Sequence, residues 1–231
     1  MRDMALAART RGLEYLAIID HSHRLGIAHG LSADRLAGQI DEIDRLNEEL
    51  HRIVLLKGVE VDILEDGQLD LPDDMLSRLD IVVAAVHSHF GLRRARQTER
   101  ILRKLDSPYV SILEHPTGRP LLERDPTDFD LDRILAHAAE RRCCVELNAQ
   151  PQRFDLDDMA CREAKNAGVL VSIGSDAHSR GGLSNPRWGV AQARRTWLTR
   201  RDVLNTRSLA QLWPLLLKPP PFTQLARAAD S

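Results

Sequence analysis

Short apolar runs that end on a histidine or a carboxylate recur along this chain, and this pattern restricts the fold more than any other feature. The runs are LAIIDH, closing on His21, VLLKGVE on Glu60, IVVAAVH on His87, SILEH on His115, and LVSIGSDAH on Asp176 and His178. Each reads as a buried strand with its polar residue at the exit. Amphipathic stretches separate the runs, and strands alternating with helices argue for βα units and a parallel sheet. In such sheets and barrels the carboxyl ends of the strands form the ligand-binding face. Imidazole and carboxylate donors meeting there point to a divalent metal site.

Six strands are expected, over residues 15–20, 53–63, 81–87, 110–115, 143–148 and 170–176, each buried on both faces. A helix is expected from Asp3 to Thr10. Ser32 is placed to cap a second, which buries Leu36, Ile40, Ile43, Leu46 and Leu50. Leu131, Ile134, Leu135 and Ala138 form the stripe of another. Asp155 is placed to cap one that buries Leu156, Met159, Ala160 and Ala164 and ends at Gly168. The domain expected is 1–218, followed by a flexible proline-rich tail over 219–231.

Composition excludes more than it selects. At 231 residues with 43% hydrophobic content, the chain is long enough for one large core. A formal net charge of -2 gives no global pull toward nucleic acid. Cys143, Cys144 and Cys161 lack CxxC spacing, which argues against a disulfide framework or a cysteine-rich zinc site. No apolar stretch approaches the ~20 residues of a membrane span, and MRDMALAARTRG lacks a signal-peptide core. A cytoplasmic protein with no membrane partner is expected.

Each candidate also has an ordinary reading. Glu60 by itself is equally a solvated strand end, an arginine partner or a metal bridge. His87 reads as a ligand, whereas His89, in SHFG, reads as a loop residue. Pro116 should hold His115 in an extended backbone, with Glu114 on the opposite face as an outer partner. Asp176 and His178 are the strongest local metal signal, with Gly174 permitting close backbone approach. Asp20 suits an orienter that accepts a proton from an imidazole. Arg119, in PTGR, suits phosphate, and Asn148 suits substrate or simple loop satisfaction. His23, His29, His51 and His137 read as surface residues.

The segments AIIDHS, KGVEVDILEDGQLDLPD, VVAAVHS, EHPTGR, ELNAQPQRFDL, IGSDAHS and WGVAQARRTWLTRRDVLNT together resemble the PHP (polymerase and histidinol phosphatase) superfamily. The resemblance covers nearly the whole chain and is closer to the PHP domain of bacterial family X DNA polymerases than to histidinol phosphatases. It implies an α/β fold, a distorted (βα)7 TIM-like barrel, with a trinuclear centre of Mn, Zn or Fe. It implies metal-dependent phosphoester hydrolysis, here 3′→5′ exonuclease or 3′-end processing of DNA, with water activated at the metals as nucleophile. His21, Glu60, His87, His115, Asp176 and His178 match its metal-ligand positions, and Glu60, His87 and Asp176 are the expected catalytic residues. The implied partners are a DNA 3′ end and upstream polymerase domains.

The family's first strand, which carries an HxH motif, has no counterpart here. The expectation is therefore an N-terminally truncated domain with an incomplete metal centre and an exposed edge on its first strand. Alternatives are a small-molecule phosphatase of the histidinol-phosphate type and a non-catalytic remnant.

Overall fold

The computed structural model describes residues 1–23 and 30–216, so His29 and the expected tail lie outside the described residues. In chain order the elements are α1 (Arg2–Thr10), β1 (Tyr15–His21), α2 (Ala33–Glu49), β2 (Val54–Asp62), α3 (Asp73–Leu76), β3 (Ile81–Ala85) and α4 (Arg94–Leu105), then β4 (Val110–Leu113), α5 (Leu131–Arg141), β5 (Cys144–Asn148), α6 (Asp158–Asn166), β6 (Val171–Gly174), α7 (Pro186–Arg195) and α8 (Leu209–Leu216). All six expected strands form, shifted by a residue or two at their ends. They make one parallel sheet in the order β1-β2-β3-β4-β5-β6, curled into a half-barrel. Six strands, rather than a complete (βα)7 barrel, are what the described residues form.

Helix ends follow capping chemistry. The Ser32 side chain accepts from the Arg35 N–H at the start of α2, and Asp130 does the same for Arg133 at α5. The α6 cap differs from expectation. Asp157, not Asp155, accepts from the Ala160 N–H, and Met159 on the first turn is exposed rather than buried. Two residues before that cap, Asp155 is fully buried beside the β4 exit, where Thr117 donates its N–H to it at 3.3 Å.

The two faces of the sheet are built differently. The convex face is mainly apolar: Val59, Val61, Val82, Ala84, Val145, Leu147 and Val171 pack beneath α4, α5 and α6. On the concave face the character changes along each strand. Its base is apolar, with Leu56, Ile81, Val83, Ile112 and Cys144 covered by Leu204 and by Leu212 and Leu216 of α8. Two or four residues further on, the same face carries Glu60, Glu114, Glu146 and Asn148, all buried. Both faces are covered as expected, but the concave one is polar at the carboxyl ends.

The sheet's two edges are also unlike. Along β6, the side-chain amide of Asn205 receives the Ile173 N–H at 3.1 Å and donates to the Ile173 carbonyl at 2.9 Å, imitating a neighbouring strand. Val203 adds an isolated parallel bridge to Val171. β1 pairs only with β2, and its other edge has no strand partner among the described residues.

Candidate metal centre

Register alone brings the first donors together. His21 lies opposite Glu60 in the β1–β2 pairing, and Asp62 lies opposite Ala85 in β2–β3, two residues before His87. Glu60 thus becomes the hub. Its Oε2 lies 2.9 Å from His21 Nδ1, and its Oε1 lies 2.9 Å from His87 Nε2 and 3.3 Å from His115 Nε2. The three rings stand edge to face, with centroids 5.7 Å apart for His21–His87 and 5.3 Å for His87–His115. Asp62 braces His87 from behind, accepting its backbone N–H at 3.1 Å with its carboxylate 3.7 Å from Nδ1. Both loops are then tied down by buried Arg100 of α4, which donates to the carbonyls of Ile63, Leu64 and Ser88.

The rim on β6 is assembled more loosely. Asn148 pairs with Gly174, and its Nδ2 reaches Asp176 Oδ2 at 3.1 Å, while Arg153 Nε lies 3.8 Å from the same oxygen. Gln150 donates to the Asp176 carbonyl at 2.7 Å. His178 is not brought to the hub: its side chain is 72% exposed and its Nδ1 turns back toward the Asp176 carbonyl at 3.0 Å. Gly174 has the role expected of it, because a Cβ there would fall 1.9 Å from Glu146 Oε1.

Several expectations are corrected by this geometry. β4 ends at Leu113, and His115 has φ +23° rather than an extended backbone. Strand alternation therefore fails at the exit, and Glu114 and His115 both turn into the half-barrel, where each has a donor atom within 4.8 Å of one on Glu60. Exposed Asp20 accepts from Gln39 of α2 at 2.6 Å, not from an imidazole. Asn148 is completely buried, with Nδ2 on Asp176 and Oδ1 accepting from the Gln150 N–H. Arg119 is half-buried and its Nε has no hydrogen-bond partner. His89 is a loop residue as expected, with φ +56° and its ring 3.7 Å from Glu65. His23 and His51 are exposed, whereas half-buried His137 of α5 bonds Asp106 at 2.9 Å.

Reasoning from sequence gave Glu146 no role, although it shares strand parity with Asn148. Its Oε2 accepts the His115 N–H at 3.0 Å, so it positions the β4 exit.

Charge is unevenly distributed over this floor. Burial works against ionising Glu60, yet the imidazoles of His115, His21 and His87 hold its carboxyl well below the usual range. The Glu60 carboxylate raises His21. Burial pulls His87 down, but Asp62 and Glu60 outweigh it and push it up to about 9. Burial, followed by the charges of Glu60, Glu146 and Asp176, drives Glu114 well above the carboxylate range, and burial does the same for Glu146.

No protein-family model matches the chain. A DNA polymerase/3′-5′ exonuclease of Bacillus subtilis is 42% identical over 209 residues, which are 90% of this chain and 37% of that protein. A probable phosphatase of Thermoanaerobacter sp. strain X514 is 30% identical over 213 residues, 87% of this chain and 82% of that one. The chain belongs to the PHP superfamily. It spans little more than a third of the polymerase relative's length but most of the phosphatase's. The fold agrees with PHP membership. The crystal structure of a histidinol phosphate phosphatase from Lactococcus lactis, complexed with zinc, L-histidinol and phosphate, matches with a TM-score of 0.58 at 14% identity, over 86% of this chain and 88% of that one.

The PHP fold implies metal, and the residues present fit one. Among the described residues, His21–Glu60–His87 and Glu60–Glu114–His115 each place donor atoms within 4.8 Å of one another. Their contacts are close but misaligned. His21 Nδ1 and Glu60 Oε1 are buried and make no well-formed hydrogen bond despite the 2.9 Å approaches between Glu60 and the imidazoles, and buried His115 Nδ1 and Glu114 Oε2 have no hydrogen-bond partner. Buried polar atoms are normally satisfied. Buried donors gathered this closely without hydrogen-bond partners are what a divalent cation would relieve.

Proposed function

We propose that this chain is a metal-dependent phosphoesterase that processes the 3′ end of DNA, in the setting of a family X DNA polymerase. The observation that carries the reading is the convergence of His21, His87 and His115 on one buried carboxylate, Glu60, at the carboxyl ends of parallel strands. PHP membership supports phosphoester hydrolysis, and the 42% identity to a DNA polymerase/3′-5′ exonuclease supports DNA as the substrate.

Bound Mn, Zn or Fe would supply Lewis-acid polarisation of a phosphoryl oxygen and lower the pKa of water. This chain's residues do the rest. Glu60 presents one oxygen to His21 and the other to His87 and His115, and would hold metal together with those imidazoles. Asp62 and Arg100 hold the His87 side rigid. Asp176 and His178 close the rim, with Asn148 orienting the Asp176 carboxylate rather than touching substrate. Arg153 flanks that rim, and it and Arg119, whose Nε is unpartnered, would offer guanidinium donors to phosphate oxygens.

The test is nucleotide release from 3′-labelled single-stranded DNA with added Mn²⁺, comparing the chain with Glu60→Gln. Release that falls more than about 100-fold in the variant is expected, because a ligand should cost more than a residue that merely orients one. Undiminished release from the variant would remove Glu60 from the mechanism. A second reading, a small-molecule phosphatase, is favoured by the coverage of the Thermoanaerobacter phosphatase. It calls for turnover of histidinol phosphate or a similar phosphomonoester with none of DNA. No turnover of either would leave the non-catalytic reading.

A further inference from the structure

We propose that Glu114 is an additional protein ligand of the centre built on Glu60, His87 and His115, giving this chain a carboxylate-rich floor suited to Mn²⁺. The inference rests on the metal-dependent reading above and adds a residue that the family resemblance does not assign. Glu114 follows Ile112 on the concave face, and its backbone N–H is fixed on the Ala84 carbonyl at 2.9 Å. The side chain is 8% exposed, and its Oε2 makes no hydrogen bond. Its donor atom falls within 4.8 Å of donors on both Glu60 and His115.

The charges that bear most on it are Glu60, Glu146 and Asp176, all carboxylates. A structural acid at this depth would be expected to face an arginine or a set of backbone N–H groups, as buried carboxylates are normally paired. Glu114 faces another carboxylate and an imidazole instead. A divalent cation between them would be coordinated by both carboxyl groups and the imidazole, whose donor atoms already lie within 4.8 Å of one another. Two carboxylate oxygens beside imidazole nitrogen also make the donor set harder than imidazole alone, which favours Mn²⁺.

The experiment measures Mn²⁺ binding by calorimetry and the visible spectrum of the Co²⁺-loaded full chain, for the wild type, Glu114→Gln, Glu114→Asp and Glu60→Gln. Glu114→Gln is expected to raise the Mn²⁺ Kd about tenfold or more and to shift the Co²⁺ bands, while its metal-free Tm stays at or above that of the wild type. If Glu114→Gln does not fold, Glu114→Asp decides: a shortened ligand still weakens Mn²⁺ binding and alters the Co²⁺ spectrum. Wild-type Kd and Co²⁺ bands in both variants, with binding lost only in Glu60→Gln, overturn the proposal for Glu114 and leave the metal reading standing. Failure of the wild type to bind either ion overturns both.

Discussion

The floor of the half-barrel and its β6 rim use the same donor types but are packed in opposite ways. On the floor, Glu60 and His115 are 7% and 4% exposed, and the three rings close on one carboxylate. On the rim, Asp176 is held by Asn148 and Arg153, and His178 turns its ring to solvent. The difference separates two tasks. Buried donors with no good hydrogen bonds are preorganised for an ion, while an exposed imidazole on a loop can adjust to substrate. Affinity for metal should therefore depend on the floor, and turnover on both.

The largest expected effect breaks the floor. His115→Ala should raise the Mn²⁺ Kd by more than about 100-fold, since a ligand should cost more than an orienting partner; calorimetry on the metal-free chain measures it. A change below threefold would mean the floor is not where the ion sits. Asp176→Asn should be smaller and different in kind: hydrolysis of 3′-labelled DNA falls roughly 10- to 100-fold while Mn²⁺ affinity at the floor is kept. Equal losses of both properties would erase the division between floor and rim.

The smallest effect is on pH-dependent stability, and it sharpens the contrast because it arises on the floor. His21 and His87 are raised in the folded chain, His87 to about 9. The stability they contribute is complete below the unfolded value of ~6.5 and is lost as pH rises through the folded value. The raised carboxyls of Glu114 and Glu146 act in the same direction, whereas lowered Glu60 contributes stability that is lost toward acid. In chelator, Tm should fall from pH ~6.5 to about 9, and Mn²⁺ should flatten the profile by taking the place of those protons. A metal-free Tm that rises over this range would contradict the charge arrangement described for the floor.

Much of this was legible in the chain itself. The six strands were visible because buried parallel strands are short apolar runs, and His21, Glu60 and His87 because polar residues at strand exits share one end of the sheet. The Ser32 cap was legible from its position before an apolar stripe. Glu114 and His115 were wrongly set on opposite faces because alternation separates neighbours only while the strand continues, and here it stops at Leu113. The Asp155 cap failed for a related reason. Two acidic residues compete for one helix start, and the interior claimed Asp155 while Asp157 took the cap.

The sequence by itself determined the parallel α/β class, the end of the sheet where imidazoles and carboxylates gather and the donor types found there, because all three follow from local periodicity and residue chemistry. Tertiary structure alone decided which donors meet. Glu60 became the hub through the register of β1 against β2, and the bend at His115 brought its ring into the half-barrel beside Glu114. His178 was left outside by its loop. Those outcomes depend on distances between segments tens of residues apart, which no local pattern encodes.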